Sequence, residues 1–454
     1  MLDLNNKKVL VVGLGKSGLA AALFLRSRGA QVTVSDVRSA EQLAKEIPTL
    51  IEAGIMVEVG SHGLLTFRSQ DLIVVSPGVP IDTPELVQAR GLGLPIIGEL
   101  ELAARYLKGK MLAVTGSNGK TTTTTLLGEI LNAAGLPTLV GGNIGVPVIA
   151  LIDDSTDESW SVLEVSSFQL ETTVEFHPTI AVILNITPDH LDRHGSFENY
   201  SAAKQRIFAA QTADDFLVLN ADNTPCAEAA AHTAARVYWF SIEHPVAPGA
   251  WLEDGWVVYR SVHQGAVEQI MPLNNIPLKG AHNYENVLAA TAAARLAGVS
   301  ADVIRRAVES FKAVEHRLEF VTTYNGVHFY NDSKATNVDA TAKAIAAFGS
   351  GIHLILGGKD KGSPYTVLAP LLRERVSAVY TIGVAAPKIE SDLRGVVAIR
   401  SCETLANAIN AAAAAARSGD VVLLAPACSS YDQFENYEHR GRIFKQLVNE
   451  LREQ

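Results

Sequence analysis

Short apolar runs alternate with longer amphipathic or alanine-rich stretches along most of the chain, and turn residues separate them. Runs rich in Val, Ile and Leu predict strands, whereas apolar residues at helical spacing predict helices. Continuous apolar strands that alternate with helices are typical of parallel sheets covered on both faces, so the pattern predicts an α/β fold. The predicted strands are 8–13, 31–35, 71–75, 111–115, 160–165, 179–185, 216–220, 352–356, 376–382 and 420–425.

One region departs from this alternation. Residues 236–278 are rich in Trp, Tyr and Val with turn residues between them, which predicts a small antiparallel ribbon. The length of 454 residues suggests about three domains. We place one boundary before the strand that opens at Met111 and another after a predicted helical pair, which gives domains at 1–100, 101–313 and 314–454.

The composition excludes several classes of protein. Hydrophobic residues make up 48% and charged residues 19%, so each domain can bury a core. Cys226, Cys402 and Cys428 are too few and too scattered for a disulfide framework or a zinc site, which fits a reducing cytoplasm. A net charge of −10 without a Lys/Arg-rich run argues against a nucleic-acid partner. No membrane span is expected either, because glycines and prolines interrupt the charge-free stretch 132–152.

A glycine-rich turn follows the first predicted strand and opens a helix. Gly13-Leu-Gly15-Lys-Ser-Gly18 has the spacing of a dinucleotide-binding turn, and Asp36 closes the next strand. Glycines permit a tight turn close to a phosphate, the helix N-terminus attracts an anion, and the acid can accept a hydrogen bond from a ribose or base. The pattern predicts a nucleotide without specifying which one, and a purely structural turn is the alternative.

A second glycine loop, Gly116-Ser-Asn-Gly119-Lys120-Thr121-Thr122, follows strand 111–115. It has two residues between its glycines, where the common phosphate loop has four. Backbone N–H groups of such a loop hold phosphate oxygens, Lys120 can neutralise the β/γ charge, and Thr121 can ligate Mg²⁺. The alternative is a turn that happens to carry a lysine.

Three further segments carry candidate groups: Glu164 ends a predicted strand, Asp189-His190 follows the strand 179–185, and Lys204 lies on the next helix. Together they could complete a phosphoryl-transfer site, although each is more often structural when it stands alone. Asn283 and Asn286 open a helix, where they could bind an adenine edge or cap the helix. Loop positions after strands in the last third hold Arg317, Asp332, Lys334, Thr336, Lys359 and Ser430, and the lysines suit a carboxylate or phosphate. His439 and Arg442 are expected on a solvated helix face.

These segments together resemble the Mur ligase family. The matching motifs run through the whole chain in the family's order: the loop 116–122, Glu164-Val-Ser-Ser-Phe-Gln-Leu, Asn185-Ile-Thr-Pro-Asp-His-Leu-Asp, His282-Asn-x-x-Asn286 and Tyr330-Asn-Asp-Ser-Lys-Ala-Thr-Asn337. The best match is to the member that joins D-glutamate to UDP-N-acetylmuramoyl-L-alanine. The resemblance implies a Rossmann-like N-terminal domain for the UDP substrate, a central ATPase domain and a Rossmann-like C-terminal domain for the amino acid.

The resemblance also implies a reaction of peptidoglycan precursor synthesis. ATP phosphorylates the L-alanyl carboxylate, the amine of D-glutamate attacks the acyl phosphate, and phosphate leaves. The implied cofactor is Mg²⁺, and the implied partners are ATP, the UDP-sugar and D-glutamate, with neither nucleic acid nor membrane. A monomeric cytoplasmic enzyme is expected.

Roles are implied residue by residue. ATP binding is implied for Gly116, Ser117, Asn118, Gly119, Lys120, Thr121, Thr122, Asn283, Asn286, Arg317 and Asp332. UDP-substrate binding is implied for Gly15, Lys16, Ser17, Asp36, Arg38, Ser76, Gly78 and Asn143. D-Glutamate binding is implied for Lys334, Thr336, Lys359 and Ser430. Catalysis is implied for Lys120, Glu164, His190 and Lys204, and metal binding for Thr121, Glu164, His190 and a carbamylated Lys204. Two positions depart from the family: Val37, where some members carry a hydroxyl, and Tyr437, where Phe is expected.

Other functions remain open at this point. A related amide ligase could use a different amino acid, and a folylpolyglutamate synthase is a further relative, although the turn at Gly13 with Asp36 argues against the folate enzyme. A nicotinamide-dependent oxidoreductase would explain that turn but not Lys120 and its loop. A nucleotide-binding regulator without catalysis is the remaining class.

Overall fold

The computed structural model describes residues 2–262, 265–278, 280–312 and 315–451. They form two compact units. The first comprises the described residues up to Ile186 together with Ser201–Leu273 and Glu285–Val308. The second comprises Thr187–Tyr200, Asn274–Tyr284 and the described residues from Glu309 onward. The predicted domain boundary between residues 313 and 314 lies outside the described residues, and the proposed boundaries remain predictions.

The first unit contains a parallel sheet in the order β3-β2-β1-β4-β5. Its strands are β1 (Lys8–Val12), β2 (Gln31–Asp36), β3 (Met56–Val59), β4 (Leu72–Val75) and β5 (Ile96–Gly98). The helices are α1 (Lys16–Ser27), α2 (Ile47–Glu52), α3 (Leu64–Arg68), α4 (Pro84–Gly91) and α5 (Glu99–Ala104). Carboxyl ends of parallel strands meet at one edge of a sheet, so the turn after β1, Asp36 at the end of β2 and Ser76 after β4 share that edge.

A second sheet of this unit has the order β14-β13-β12-β11-β10-β9-β6-β8-β7. Its strands are β6 (Lys110–Thr115), β7 (Thr138–Gly142), β8 (Trp160–Glu164), β9 (Ile180–Ile183), β10 (Phe216–Asn220), β11 (Arg236–Ser241), β12 (Gly249–Glu253), β13 (Trp256–Arg260) and β14 (Glu268–Pro272). The helices along this stretch of chain are α6 (Lys120–Ala133), α7 (Ser167–Leu170), α8 (Leu191–His194), α9 (Phe197–Gln205), α10 (Thr224–Ala229), α11 (Ala281–Leu296) and α12 (Ala301–Ser310). Short 3-10 helices lie at Val148–Leu151, Arg206–Phe208, Ala230–His232 and Leu273–Asn275.

The predicted antiparallel ribbon is confirmed only for its later part. β12, β13 and β14 pair antiparallel. β11 instead runs parallel to β10, because α10 carries the chain back across the sheet between them. A helical crossover of this kind joins parallel strands, so 236–241 belongs to the parallel part.

The second unit contains a sheet in the order β15-β16-β20-β17-β18-β19. Its strands are β15 (Glu319–Tyr324), β16 (Val327–Asn331), β17 (Ile352–Gly357), β18 (Val376–Ile382), β19 (Ile399–Glu403) and β20 (Val421–Leu424). The helices are α13 (Val338–Ala346), α14 (Ala369–Arg375), α15 (Ala386–Asp392), α16 (Leu405–Ala415) and α17 (Tyr437–Glu450), with a 3-10 helix at Tyr365–Leu368. Except for the antiparallel pair β15–β16, the strand pairs of this sheet run parallel.

Alternate residues of the central strands in this sheet enter two different cores. Leu354 and Leu356 of β17 belong to one buried cluster, whereas Ile355 between them belongs to the other. Successive side chains of a strand point to opposite faces, so the sheet is covered on both sides. The three sheets and their helices therefore confirm the predicted α/β architecture of three domains. In the described ranges, no helix has the length and apolar character that a bilayer crossing requires.

Candidate functional site

The turn after β1 is held tightly against the loop after β4. The backbone of Gly13 has φ of +87°, and its carbonyl accepts a hydrogen bond from Ser76 Oγ at 2.7 Å. A Cβ on Gly18 would overlap that same carbonyl, so α1 can begin here only with glycine at this position. Gly15 and Lys16 in this turn and Gly78 in the loop after β4 are exposed, and Ser17 is half-buried. A Cβ on Gly15 or Gly78 would meet nothing within 4 Å.

Asp36 is fully engaged by the protein itself. Its Oδ1 accepts hydrogen bonds from the backbone N and Nε of Arg38 at 2.9 and 3.0 Å. Its Oδ2 accepts from Leu14 N and from the Arg38 guanidinium, each at 2.7 Å. Burial alone would raise the pKa of Asp36, but the hydrogen bonds from Arg38 and Leu14 hold that pKa below its ordinary value. The ionised carboxylate thus fixes the glycine turn and the half-exposed Arg38 side chain.

The loop between β6 and α6 is built as a phosphate loop. Gly119 has φ of +88°, and a Cβ there would overlap Asn286 Oδ1, so this position requires glycine. Asn185 holds the loop from the next strand, because its Oδ1 accepts from Asn118 N at 2.8 Å and its carbonyl accepts from Ser117 N at 2.9 Å. The loop's backbone is therefore fixed before any ligand arrives.

Two lysine side chains converge on one carbonyl of this loop. Lys120 Nζ donates to Gly116 O at 2.8 Å and to Ser117 O at 2.9 Å. Lys204 Nζ, from α9, donates to the same Gly116 O at 2.8 Å, and this side chain is only 2% exposed. The structure thus brings together two of the predicted catalytic residues.

Glu164 and Asn143 also meet in the first unit. Glu164 ends β8, and its Oε1 accepts from Asn143 Nδ2 at 2.8 Å, while its carbonyl accepts from Asn143 N at 2.8 Å. Thr121 stands at the start of α6, where no partner within the described ranges hydrogen-bonds its buried Oγ1. A buried hydroxyl oxygen and a buried carboxylate are hard oxygen donors, so Thr121 and Glu164 fit the chemistry of a Mg²⁺ ion.

Asp332 in the second unit is a buried acid after β16. Burial raises its pKa to about 7, and nearby Arg317 and the backbone N of Leu318 counteract that rise only in part.

His190, also in this unit, has φ of +53° and donates its backbone N–H to Asp189 Oδ1 at 2.9 Å. Asn283 is buried near the start of α11.

The residues predicted to bind D-glutamate all lie in the second unit. Lys334 Nζ donates to the Tyr437 hydroxyl at 2.9 Å and lies 4.7 Å from the centre of that ring. Tyrosine in place of the expected phenylalanine at this position therefore gives the lysine a polar partner. Ser430 is buried, whereas Lys359 is exposed and pairs with Ser429 through its backbone.

Lys361 is a candidate that the sequence analysis missed. Its Nζ lies 3.4 Å from Thr336 Oγ1 and 3.4 Å from Asp189 Oδ1, and its side chain is only 13% exposed. Of the two lysines that follow Gly358, it is therefore Lys361 that reaches the side chain of a predicted amino-acid-binding residue.

Arg440 was missed as well. It is completely buried, and its guanidinium donates to Ser333 Oγ at 3.0 Å, Ser333 O at 2.8 Å and Cys428 O at 3.2 Å. Burial lowers its pKa to about 10, so the group stays charged at neutral pH. Arg440 thus joins the loop that carries Lys334 to the loop that carries Ser430.

The predicted site residues divide between the two units. The first unit carries the whole predicted UDP-substrate set, the loop 116–122, Glu164, Lys204 and Asn286. The second carries His190, Asn283, Arg317, Asp332 and the predicted D-glutamate set.

Models of three protein domains match the chain. These are the Mur ligase MurD-like N-terminal domain over residues 7–98, the Mur ligase middle domain over 114–294 and the Mur ligase glutamate ligase domain over 316–428. The chain is 69% identical to the UDP-N-acetylmuramoylalanine–D-glutamate ligase of Acidobacterium capsulatum, over 98% of this chain and 97% of that protein. It is 59% identical to the ligase of the same name from Koribacter versatilis, over 100% of this chain and 99% of that protein.

Solved structures show the same fold at lower identity. A pseudomurein peptide ligase type C from Methanothermus fervidus superposes with a TM-score of 0.61 at 21% identity, covering 98% of this chain and 100% of that one. The UDP-N-acetylmuramate-alanine ligase of Thermotoga maritima gives a TM-score of 0.60 at 20% identity, again covering 98% of this chain and 100% of that one.

The burial of Arg440 leads to a stability prediction. Replacing Arg440 with Met leaves the carbonyls of Ser333 and Cys428 without this donor, so the free energy of unfolding should fall by about 2–4 kcal/mol. Arg442→Met, on the exposed side of the same helix, should change it by less than about 0.5 kcal/mol. Urea unfolding of both variants measures the difference, and equal stabilities would contradict the assigned role.

Proposed function

The chain belongs to the Mur ligase family, and from that premise we propose that it joins D-glutamate to UDP-N-acetylmuramoyl-L-alanine with consumption of ATP, in peptidoglycan precursor synthesis. The observation that carries the proposal is likeness over nearly the full length to relatives named for this ligase activity. The preformed phosphate loop and the ammonium group of Lys361 beside Thr336 support it. We further propose that the enzyme acts in the cytoplasm as a monomer.

The chemistry requires neutralisation of charge more than a reactive side chain. A carboxylate must approach a triphosphate that is already negative, so positioned cations and backbone N–H groups lower the barrier. We assign Lys120 and the loop N–H groups to the terminal phosphates of ATP. Asn143, which is held by Glu164, is assigned to the acceptor substrate. Asn283, Arg317 and Asp332 keep their predicted role in binding ATP.

Thr121, Glu164, His190 and a carbamylated Lys204 are the proposed ligands of Mg²⁺. When bound, this ion would neutralise charge on the phosphate oxygens. The buried Thr121 hydroxyl and the Glu164 carboxylate supply the kind of oxygen that the ion prefers.

The shared Gly116 carbonyl supports the carbamate on Lys204. Two ammonium groups on one buried carbonyl oxygen repel each other, and burial strengthens that repulsion. A carbamate would convert Lys204 into an anion while keeping one N–H to donate to Gly116 O. The modification therefore replaces a like-charge contact with an attractive one beside Lys120.

On the amino-acid side, we assign Lys334, Thr336, Lys361 and Ser430 to the carboxylates of D-glutamate. A dicarboxylate needs more than one cation, and both lysines point their ammonium groups at hydroxyl oxygens of neighbouring residues. Lys359 was predicted for this role from its position, but its exposed side chain makes Lys361 the better candidate.

The first test is turnover. Phosphate release should require ATP, UDP-N-acetylmuramoyl-L-alanine and D-glutamate together, and Lys120→Ala should lower kcat by about 10²- to 10³-fold because it removes positive charge from the transferred phosphoryl group. Lys45→Ala, at an exposed position, is the control and should leave kcat unchanged. Preference for another amino acid in a substrate panel would refute the proposed specificity.

The second test compares the two lysines of the loop after β17. Lys361→Ala should raise the KM for D-glutamate by about 10- to 100-fold, since it removes a charge-assisted hydrogen bond worth about 1.5–3 kcal/mol. Lys359→Ala should change that KM by less than about twofold, because interactions of exposed charges are weak. The KM values are measured by steady-state kinetics at varied D-glutamate concentration. If Lys359 were the ligand, Lys359→Ala would raise the KM more than Lys361→Ala.

The third test concerns Lys204. Enzyme prepared free of CO₂ should lose activity and regain it with bicarbonate, because the anionic carbamate would be lost and re-formed. With ¹³C-labelled bicarbonate, a carbamate signal should appear in the NMR spectrum of the wild type and of Lys45→Ala, but not of Lys204→Arg. A wild-type spectrum without that signal would count against the modification.

A further inference from the structure

The loop between β17 and the 3-10 helix at Tyr365–Leu368 contains an acid between its two lysines. The side chain of Asp360 enters a polar group of residues that we call the Asp360 cluster: Asp360, Tyr365, Lys388 and Cys428. Asp360 Oδ1 accepts from the Tyr365 hydroxyl at 2.8 Å, and Oδ2 accepts from Lys388 Nζ at 2.7 Å. Each carboxylate oxygen therefore has a side-chain donor from outside the loop.

Tyr365 links Asp360 to a second loop. Its hydroxyl lies 2.9 Å from Cys428 Sγ, and both side chains are essentially inaccessible to solvent. Burial raises the pKa of Tyr365 and raises that of Cys428 to about 11, so both keep their protons. Because the tyrosine proton goes to Asp360, the thiol donates to the tyrosine oxygen.

Asp360 stays ionised in these surroundings. Burial alone would raise its pKa, but the hydrogen bonds from Lys388 and Tyr365 outweigh that effect and hold the pKa below its ordinary value. In the Asp360 cluster the Cys428 thiol thus donates to the Tyr365 hydroxyl, and that hydroxyl donates to the Asp360 carboxylate. Lys388 balances the negative charge of the carboxylate.

Backbone hydrogen bonds hold the start of this loop, since Gly357 N and Gly358 N donate to Pro426 O and Ile382 O and the backbone of Lys359 pairs with Ser429. Asp360 is the next residue, and Gly362 beyond it has φ of +85°. Glycine loses more conformational freedom on ordering than any other residue, so side-chain contacts at Asp360 help to order the stretch that carries Lys361. Asp360 provides these contacts next to Lys361. The ammonium group of Lys361 lies within hydrogen-bonding reach of Thr336 Oγ1 and Asp189 Oδ1.

We propose that Asp360 is a positioning residue for the amino-acid subsite: by accepting hydrogen bonds from Tyr365 and Lys388, it fixes the backbone from which Lys361 reaches Thr336. Through Tyr365 and Cys428 the Asp360 cluster adds a side-chain link between the loop of Lys361 and the loop of Ser430, beside the backbone pairing of Lys359 with Ser429. This inference rests on the proposed function, because the amino acid is the ligand concerned.

The test separates amino-acid binding from the other steps. Asp360→Ala should raise the KM for D-glutamate about tenfold, because Lys361 loses its fixed position. The KM values for ATP and for UDP-N-acetylmuramoyl-L-alanine should stay within about twofold, as should kcat. Asp360→Asn keeps an acceptor for Tyr365 but loses the ion pair, so it should give a smaller rise in the same KM.

Two further variants control for a merely structural effect. Tyr365→Phe removes only the hydroxyl that links the two loops and should raise the KM for D-glutamate in the same direction. Thr381→Val is the matched control, because the fully buried Thr381 donates its hydroxyl to Glu390 Oε1 on α15, the helix of Lys388, at 2.7 Å. That hydroxyl has no hydrogen bond to residues 358–364, all of which the structure describes. Thr381→Val should lower the thermal midpoint as Asp360→Asn does while leaving all three KM values unchanged.

The inference is overturned if Asp360→Asn and Tyr365→Phe leave the KM for D-glutamate within about twofold, or if all three KM values rise together. It is also overturned if Thr381→Val raises the KM for D-glutamate as much as they do. Wild-type enzyme that does not use D-glutamate refutes the proposed function instead, and the same KM comparison is then made with the amino acid that the wild type prefers.

Discussion

The half-buried Lys120 and the buried Lys204 both donate from Nζ to the carbonyl oxygen of Gly116, and the arrangement of charge in the first unit depends on this contact. The chain as a whole carries a net charge of −10, so any attraction for a polyphosphate has to come from local groups. Lys120 supplies that attraction at the start of α6, where the helix N-terminus adds to it. Lys204 approaches from α9, a distant part of the sequence, so the loop conformation also depends on how the helices pack on this sheet.

Much of the fold could be predicted because its strands are buried on both faces. The runs at 8–13, 111–115 and 352–356 stand out as continuous apolar segments, and each forms a strand that pairs in parallel with both of its neighbours. Edge strands carry a weaker pattern. The hairpin β15–β16 was absent from the predicted strands, although Asn325-Gly326 between its strands is a strong local sign of a tight turn.

The phosphate loop was predictable for a similar reason, since a glycine-lysine segment directly after a buried strand leaves few structural alternatives. Lys361 and Arg440 were not, because their roles depend on residues that are remote in sequence. Lys359 and Lys361 look equivalent in the sequence, and only their exposure and contacts in the structure distinguish them. Arg440 and Arg442 lie two positions apart on α17, about 200° around the helix, so one is buried when the other is exposed. The helical spacing of the two arginines predicts that they face opposite sides of α17, but only the packing of the helix shows which arginine is buried.

The saturation of Asp36 has a consequence for inhibitor design. A carboxylate offers about four positions for hydrogen-bond donors, and Arg38 and Leu14 occupy all four. A compound that presents a sugar hydroxyl or an amine to this acid would have to displace an internal donor before gaining anything. Chemistry aimed at this edge of the sheet should instead carry an acceptor towards the guanidinium of Arg38, which is the half-exposed member of the pair.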